Sequence, residues 1–285
     1  MSASVGVAVS DTIFPYARWN SRLGELADQF SDGAPFPHIV LDDFLVPEMA
    51  AACRREFPPL EGNGWIHYTH FNERKYGKSD RESFPAALAA VVDEFNSPRF
   101  LRFLESLTGI APLLPDDELM GAGLHQSTTG GYLNIHADYT GHPHRATWRR
   151  RLNLLLYLND DWDDAYGGLL EFWDAGMQRC VRRIPLHGNR AVIFRTDPTS
   201  FHGYPEPMRC PRGLTRKSLA LYYFTDEKEP FLVRATEYRA RPGDGIRAAG
   251  IYLDKMAVRA FDLLKRRLGV SDKFGSAVLK LLWRR

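Results

Sequence analysis

Residues 149–159 read RRRLNLLLYLN, and this stretch decides the fold class. Successive side chains of a β-strand point to opposite faces of the sheet. Asn153 and Tyr157 therefore share one face, whereas the leucines at even positions share the other. The pattern predicts a strand that lines a polar site on one side and packs against a core on the other.

Similar short segments surround this strand, rich in β-branched and aromatic residues and separated by Gly, Pro, Asn and Asp. The predicted strands are residues 119–127, 132–139, 149–159, 169–173, 179–186, 190–195, 201–206 and 216–225. Many short strands with turn residues between them are typical of a β-sandwich or barrel and argue against a parallel α/β sheet.

Helical patterns flank the strand region on both sides. Before it we predict a strand at 36–45 and helices at 47–57, 85–95 and 98–107; after it, a polar loop and helices at 251–268 and 272–283. The expected fold is mainly β with flanking helices: residues 1–118 support the barrel, 119–225 form it and 226–285 cover it, all in one structural domain. The basic C-terminal tail is either a solvated helix face or a docking surface for an acidic partner or a membrane.

Composition excludes several classes of protein. The 285 residues carry 37 basic and 35 acidic side chains, a net charge of +2, which does not indicate nucleic acid as a partner. The three cysteines show no C-x-x-C spacing, and this favours a reducing compartment. The chain shows neither the pattern of a signal peptide nor a long apolar run, so we expect a cytoplasmic protein without a transmembrane segment.

A candidate metal site lies in residues 132–139, which read YLNIHADY. In a strand His136 and Asp138 point to the same face and can bind one ion together. His202, in the segment SFHGYP, is the best candidate for a third ligand. Two histidines and one carboxylate form the facial triad of non-haem Fe(II) oxygenases. The H-x-D pattern is common by chance, and a lone histidine is more often a structural residue than a metal ligand. Whether these residues form a metal site therefore depends on the surrounding sequence.

A candidate carboxylate site follows His202. Arg216 and Ser218 alternate in RKSLALYYF and therefore share a strand face. A guanidinium group recognises the two oxygens of a carboxylate through paired, charge-assisted hydrogen bonds, and a hydroxyl group can assist it. The sequence therefore predicts an anionic ligand near this strand.

These landmarks occur in a recognisable order: H-x-D, a strand ending in YLN, an acidic turn containing Trp, GG-L, a distal His and R-x-S. The order resembles the prolyl 4-hydroxylase-like branch of the 2-oxoglutarate oxygenases over about residues 119–225. The resemblance implies a double-stranded β-helix, a jelly-roll core of the cupin type. It also implies that His136, Asp138 and His202 bind Fe(II), and that Arg216 and Tyr157 bind the distal carboxylate of 2-oxoglutarate. Tyr157 could instead be a core aromatic residue.

One position departs from the family pattern. Ten residues before the first iron ligand, where animal prolyl hydroxylases often place a tyrosine that contacts 2-oxoglutarate, this chain has Gln126. Its amide can donate a hydrogen bond to the oxo-acid, or the residue can simply line the barrel. Gln126 is therefore a candidate contact for 2-oxoglutarate.

The implied reaction uses Fe(II), 2-oxoglutarate and O2, with ascorbate as a supporting reductant, and yields succinate, CO2 and a hydroxylated product. Related halogenases replace the carboxylate ligand with a small residue, so Asp138 favours hydroxylation, although desaturation, epoxidation and ring formation use the same triad. Two other classes stay open. One is a cupin-like metal hydrolase or isomerase, which leaves Arg216 unexplained; the other is a non-catalytic jelly-roll binding module.

The substrate is the least determined feature. Candidate contacts are His142, His144 and Arg145 in the loop after H-x-D, together with Arg149, which alternation places on the Tyr157 face, whereas Arg150 falls on the leucine face. Residues 65–78 form a second candidate loop. Both loops could be ordinary solvated segments. A peptidyl proline, a free amino acid, and a sugar or other natural-product intermediate remain open as substrates.

Overall fold

A computed structural model describes residues 11–61 and 64–268. The helices are α1 Tyr16–Asn20, α2 Leu23–Ser31, α3 Pro47–Glu56, α4 Ala86–Phe95, α5 Pro98–Thr108 and α6 Arg247–Leu268. The strands are β1 His38–Leu41, β2 Ile66–His70, β3 Glu73–Lys78, β4 Leu114–Pro115, β5 Gly123–Ser127, β6 Tyr132–Ala137, β7 Trp148–Tyr157, β8 Leu170–Trp173, β9 Cys180–Ile184, β10 Arg190–Arg195, β11 His202–Tyr204, β12 Arg216–Asp226 and β13 Glu237–Tyr238.

The strands form one curled antiparallel sheet. Its order is β1-β10-β7-β12-β5-β3-β6-β11-β8-β9, with β2, β4 and β13 paired to β3, β12 and β6. Side chains from strands far apart in this order, such as Asn153 on β7 and Leu170 on β8, line the same cavity. The sheet therefore wraps around a common interior, which is the double-stranded β-helix that the family resemblance implied.

The leucine face of β7 packs against the helices. Leu152, Leu154 and Leu156 are fully buried in a core that also contains Phe95 of α4 and Phe100 of α5. Each fully buried leucine contributes about 1.5 to 3 kcal/mol through removal of apolar surface from water. The predicted division of β7 into a packing face and a polar face is confirmed.

Several predicted boundaries were wrong. The strand expected at 119–127 begins at Gly123, because Leu119 and Gly121 have positive φ angles of 48° and 74° and form a turn. The strand expected at 36–45 is limited to β1, since Asp43 also has a positive φ, of 53°. Helices α1 and α2 were not predicted at all.

Residues 65–78 were predicted as a loop, but they form the β2–β3 hairpin. Strand β3 joins β5 to β6 and brings Lys75 to the wall of the central cavity. At the other end of the chain, α6 includes the predicted helix 251–268, whereas the helix predicted at 272–283 lies outside the described residues. No helix among the described residues is both long and apolar enough to cross a membrane.

A buried charge network attaches α6 to this hairpin. His70 lies 2.7 Å from Asp254 through Nδ1 and 2.8 Å from Glu73 through Nε2, and Lys75 Nζ lies 3.1 Å from Glu73. Burial lowers the pKa of His70, but hydrogen bonds and charges from Asp254 and Glu73 outweigh it and raise this pKa to about 9. The imidazolium form of His70 therefore joins α6 to the strand that carries Lys75.

Asp254→Asn is expected to destabilise the protein in a pH-dependent way. The raised pKa of His70 contributes stability that is fully present below its ordinary value of 6.5 and is lost as pH rises through about 9. Breaking a buried ion pair costs about 3 to 5 kcal/mol. Urea unfolding should show a difference between wild type and variant that is large at the acidic end of this window and shrinks toward the alkaline end.

Lys255→Gln provides the matched control. Lys255 lies on the same helix and pairs with Glu237 at 2.6 Å, outside the His70 network. Lys255→Gln should therefore change the free energy of unfolding by the same amount at the acidic and the alkaline end of this pH range. A pH-independent loss in Asp254→Asn would show that His70 is not charged in the folded protein.

Candidate active site

The structure brings His136, Asp138 and His202 together. His136 lies near the end of β6, opposite His202 on β11 in the strand register, and Asp138 follows β6 directly. One candidate ligand atom from each residue lies within 4.8 Å of the other two. The Nε2 atoms of His136 and His202 lie 3.5 and 3.6 Å from the Asp138 carboxylate oxygens. All three side chains are almost completely buried.

Backbone carbonyls fix the tautomers of both histidines. His136 Nδ1 lies 2.9 Å from the carbonyl oxygen of Asn134, and His202 Nδ1 lies 2.9 Å from that of Ser200. A carbonyl oxygen can only accept, so both Nδ1 atoms donate and both Nε2 lone pairs are left for a ligand. Burial and the neighbouring His136 lower the pKa of His202 to about 4, so it is neutral. This donor set fits a divalent transition metal.

Asp138 is oriented by Asn153 and Arg150. Asn153 Nδ2 donates to Asp138 Oδ2 at 2.7 Å, and Arg150 Nη2 lies 3.0 Å from the same oxygen. Burial alone would raise the pKa of Asp138, but Arg150, His202 and His136 hold it well below its usual range. The carboxylate is thus ionised and fixed in direction.

The side chain of Arg150 lies on the opposite face of β7 from the one predicted. Alternation placed it on the leucine face, but the pairing of β7 with β12 shifts between Tyr223 and Phe224, so that Leu152 and Arg150 oppose consecutive residues. The extra residue, Arg151, forms a β-bulge, so the residues of β7 that precede it point to the opposite faces from those that strict alternation predicts. As a result Arg150 points inward, where its guanidinium group stacks 3.4 Å from the ring of Tyr222.

Asn153→Ala is expected to weaken metal binding by about 10- to 100-fold, the typical cost of losing a hydrogen-bond partner of a metal ligand. The change removes the amide that orients Asp138 without altering any charge. Mn(II) titration followed by electron paramagnetic resonance would measure it. Asn189→Ala is the control, because the Asn189 side chain is also buried but hydrogen-bonds only to the backbone of Leu45; equal losses in both variants would refute the orienting role.

The other end of the cavity is built around Arg216. Its Nε donates to the carbonyl oxygen of Gly168 at 2.9 Å, and its Nη2 donates to the hydroxyl of Tyr157 at 3.2 Å. Gly168 has a φ of +77°, and a Cβ atom there would lie 3.1 Å from Arg216 Cδ. The same Cβ would lie 2.6 Å from Met208 Sδ, so the second glycine of the GG-L motif makes room for both side chains. Ser218 lines the same cavity.

Four further polar residues line the cavity: Tyr204 and Tyr222, together with Lys75, which lies in the candidate substrate segment 65–78, and His125, which was not predicted. Burial, assisted by the charge of Lys75, lowers the pKa of His125 to about 3, so the ring is neutral, and its buried Nε2 has no hydrogen-bond partner. Cationic Arg216 and Lys75 together with this unpaired nitrogen suit an anionic, hydrogen-bonding ligand that reaches from the triad to Arg216. The residues present therefore fit both Fe(II) and 2-oxoglutarate.

Gln126 does not face this cavity, contrary to prediction. Its Nε2 donates to the carbonyl oxygen of Pro58 at 2.8 Å, and its Oε1 accepts from the hydroxyl of Thr215 at 2.7 Å. Because neighbouring residues of β5 point to opposite faces, His125 takes the inward position. His125 is paired with Ser218 in the sheet, so the two side chains lie on the same face. The predicted inward position of Ser218 is the signal that could have identified His125.

The predicted substrate residues also lie away from the cavity. His142 is buried and bonds to Asp116 at 3.2 Å; His144 and Arg145 pair with acidic residues of the same segment, Glu118 and Asp117. Arg149 pairs with Glu227 at 3.2 Å, since the β-bulge turns it outward. None of the four lines the cavity that holds the triad.

Comparisons with known proteins agree with this geometry. Residues 122–224 match the family model of the 2OG-Fe(II) oxygenase superfamily. A prolyl 4-hydroxylase structure from Phytophthora capsici aligns with a TM-score of 0.53 and 20% identity, covering 98% of this chain and 87% of that one. A prolyl hydroxylase from Trichoplax adhaerens aligns with a TM-score of 0.51 and 17% identity, covering 74% and 93%. No curated protein sequence gave a significant match.

The fold and the site define an oxygenase with a double-stranded β-helix core. The protein matches the 2OG-Fe(II) oxygenase superfamily over residues 122–224 and has a fold similar to that of prolyl hydroxylases. It is an enzyme that uses Fe(II), 2-oxoglutarate and O2. The hydrolase or isomerase and the silent binding module are not favoured.

Proposed function

We propose that His136, Asp138 and His202 hold Fe(II), that Arg216 and Tyr157 bind the distal carboxylate of 2-oxoglutarate, and that the enzyme hydroxylates an unactivated C–H bond. The observation that carries this proposal is the single cavity with a buried two-histidine, one-carboxylate cluster at one end and a buried arginine at the other. Neither end alone would specify this chemistry.

Bound iron supplies the oxidation chemistry, in which 2-oxoglutarate is converted to succinate and CO2. The protein's residues bind, orient and exclude water. The backbone carbonyls of Asn134 and Ser200 keep both imidazole Nε2 atoms directed inward, and Asn153 directs Asp138. At the far end Arg216 is fixed by Gly168 and Tyr157, so the guanidinium fork is already oriented before the cosubstrate binds.

The substrate we propose is a small molecule or a peptidyl group. The similar Trichoplax adhaerens protein was solved with a peptide fragment of hypoxia inducible factor, which supports the peptidyl option. The three cysteines are unpaired, in keeping with a reducing compartment, and on that ground we propose a cytoplasmic location. Ser218 is proposed as an additional hydroxyl contact for 2-oxoglutarate.

Succinate formation tests the proposal. Purified protein should convert 2-oxoglutarate to succinate only when Fe(II) is added, and a true substrate should accelerate this turnover and gain one oxygen atom by mass spectrometry. Panels of peptidyl prolines, free amino acids and sugar-containing natural products would be compared. Hydrolysis or isomerisation of a substrate without succinate release would overturn the proposed reaction.

A further inference from the structure

A second cavity lies beside the metal cluster and is distinct from the one described above. It has a volume of about 230 Å³ and is formed where the start of β7 meets the segments that follow β6, β10 and β12. Its polar walls include Thr140, Arg149, Arg150, Arg151, Thr196 and Arg234. We call it the arginine cavity.

Two buried hydrogen-bond donors of the arginine cavity have no partner among the residues that the structure describes. Arg150 Nη1 and Thr196 Oγ1 are buried and have no hydrogen-bond partner. Arg149 Nε, in contrast, makes an ion pair with Glu227 at 3.2 Å. Buried donors without a partner are rare in folded proteins and are most simply satisfied by a ligand or ordered water.

Positive charge exceeds negative charge around the arginine cavity. Arg149 and Arg151 share one carboxylate, that of Glu227. The acidic residue in the wall, Asp197, pairs with Arg195 at 3.2 Å. Among the residues that the structure describes, no carboxylate lies within ion-pair distance of the Arg234 guanidinium group. The surplus guanidinium groups are suited to an anion with several oxygen atoms.

Arg150 connects this cavity to the candidate active site. Its Nη2 contacts Asp138 at 3.0 Å, and the residue also lines the arginine cavity. An anion held there would lie one side chain away from a proposed iron ligand. This proximity favours the substrate, and not a remote effector, as the source of the anion.

We infer that the arginine cavity binds an oxyanion, namely the phosphate or carboxylate group of the primary substrate. The assignment to the substrate rests on the proposed function, whereas oxyanion binding itself does not. Guanidinium groups bind such oxygens in pairs with fixed geometry, so Arg149 and Arg234 would anchor the anionic group while Thr196 supplies a hydroxyl.

Calorimetric titration of the metal-free full chain with inorganic phosphate, at constant ionic strength, tests oxyanion binding. Wild type should bind one phosphate saturably, and Arg234→Gln or Arg149→Gln should weaken binding by about tenfold each. Arg145→Gln is the matched control, since Arg145 is a nearby arginine that pairs with Asp117 outside the cavity and should change affinity little. Arg234→Gln removes no described ion pair, so its folding should be unaffected, and a thermal melt checks this.

Absence of saturable phosphate binding would overturn the inference, as would equal losses in Arg234→Gln and Arg145→Gln, which would show an adventitious ion only. Titration with glycerol 3-phosphate distinguishes the sources of the anion. Tighter binding than inorganic phosphate supports a group carried by a larger substrate; equal or weaker binding overturns that assignment. Because neither titration needs iron or turnover, failure here is separable from failure of the proposed oxygenase reaction.

Discussion

His202→Ala is expected to abolish iron-dependent succinate formation while leaving a folded protein. His202 contributes one of three candidate ligand atoms and packs in the cavity, not in the leucine core that carries the fold. Removing a ligand should cost more than the roughly 10- to 100-fold that loss of a ligand's hydrogen-bond partner costs. The same outcome is expected for His136→Ala, whereas two histidines can retain some iron in Asp138→Ala.

Fe(II)-dependent succinate release and a thermal melt would be measured together for this variant. His187→Ala is the control, because His187 is an exposed histidine outside the cavity and its loss should change neither quantity. Near wild-type turnover by His202→Ala would remove this residue from the metal centre. A collapsed melting transition would show instead that the histidine is structural.

Arg216→Lys is expected to raise the 2-oxoglutarate requirement by about one to two orders of magnitude. Lysine keeps the charge but loses the planar fork that binds both carboxylate oxygens, and a hydrogen bond to a charged group contributes about 1.5 to 3 kcal/mol. Arg216 is only 5% exposed, so solvent cannot replace the lost contact. The dependence of succinate release on 2-oxoglutarate concentration would measure the effect.

Lys217→Gln is the control for this prediction. Lys217 is the next residue of β12 but lies on the opposite face, where its Nζ is 5.6 Å from the ring centre of Phe57. Its replacement should leave the 2-oxoglutarate requirement unchanged. If Lys217→Gln raised that requirement and Arg216→Lys did not, the register of the cosubstrate strand would be wrong.

The barrel strands could be predicted because alternation and turn residues are local signals. Strand β10 was predicted with its observed bounds, 190–195, and β7 to within two residues at its end. The hairpin of β2 and β3 was predicted as a loop, because its place in the sheet depends on pairing with β5 and β6, which are distant in sequence. Lys75 was therefore predicted only as one member of the candidate substrate segment 65–78 and not as an individual cavity residue.

In the candidate active site, the alternation of side chains along a strand predicted the positions of some residues but not of others. His136, Asp138, His202 and Arg216 share one cavity as the sequence suggested, since each stands in or beside a regular strand. Arg150 does not follow the pattern, because one bulged residue, Arg151, reverses the faces of β7 before it. Gln126 occupies the family position in the sequence but lies on the face of β5 that points away from the cavity, where it bonds to Pro58 and Thr215.

Anaerobic titration of the iron-free protein with Fe(II) and 2-oxoglutarate tests the central claim most directly, because chelation of iron by an oxo-acid produces a visible charge-transfer absorption. We predict a band that needs both components, saturates at one Fe(II) per chain and disappears in His202→Ala. In Arg216→Lys the band should form only at higher 2-oxoglutarate concentrations. A band of unchanged intensity in His202→Ala, or no band in the wild-type protein when both components are present, would contradict the assignment of this cavity as the iron and 2-oxoglutarate site.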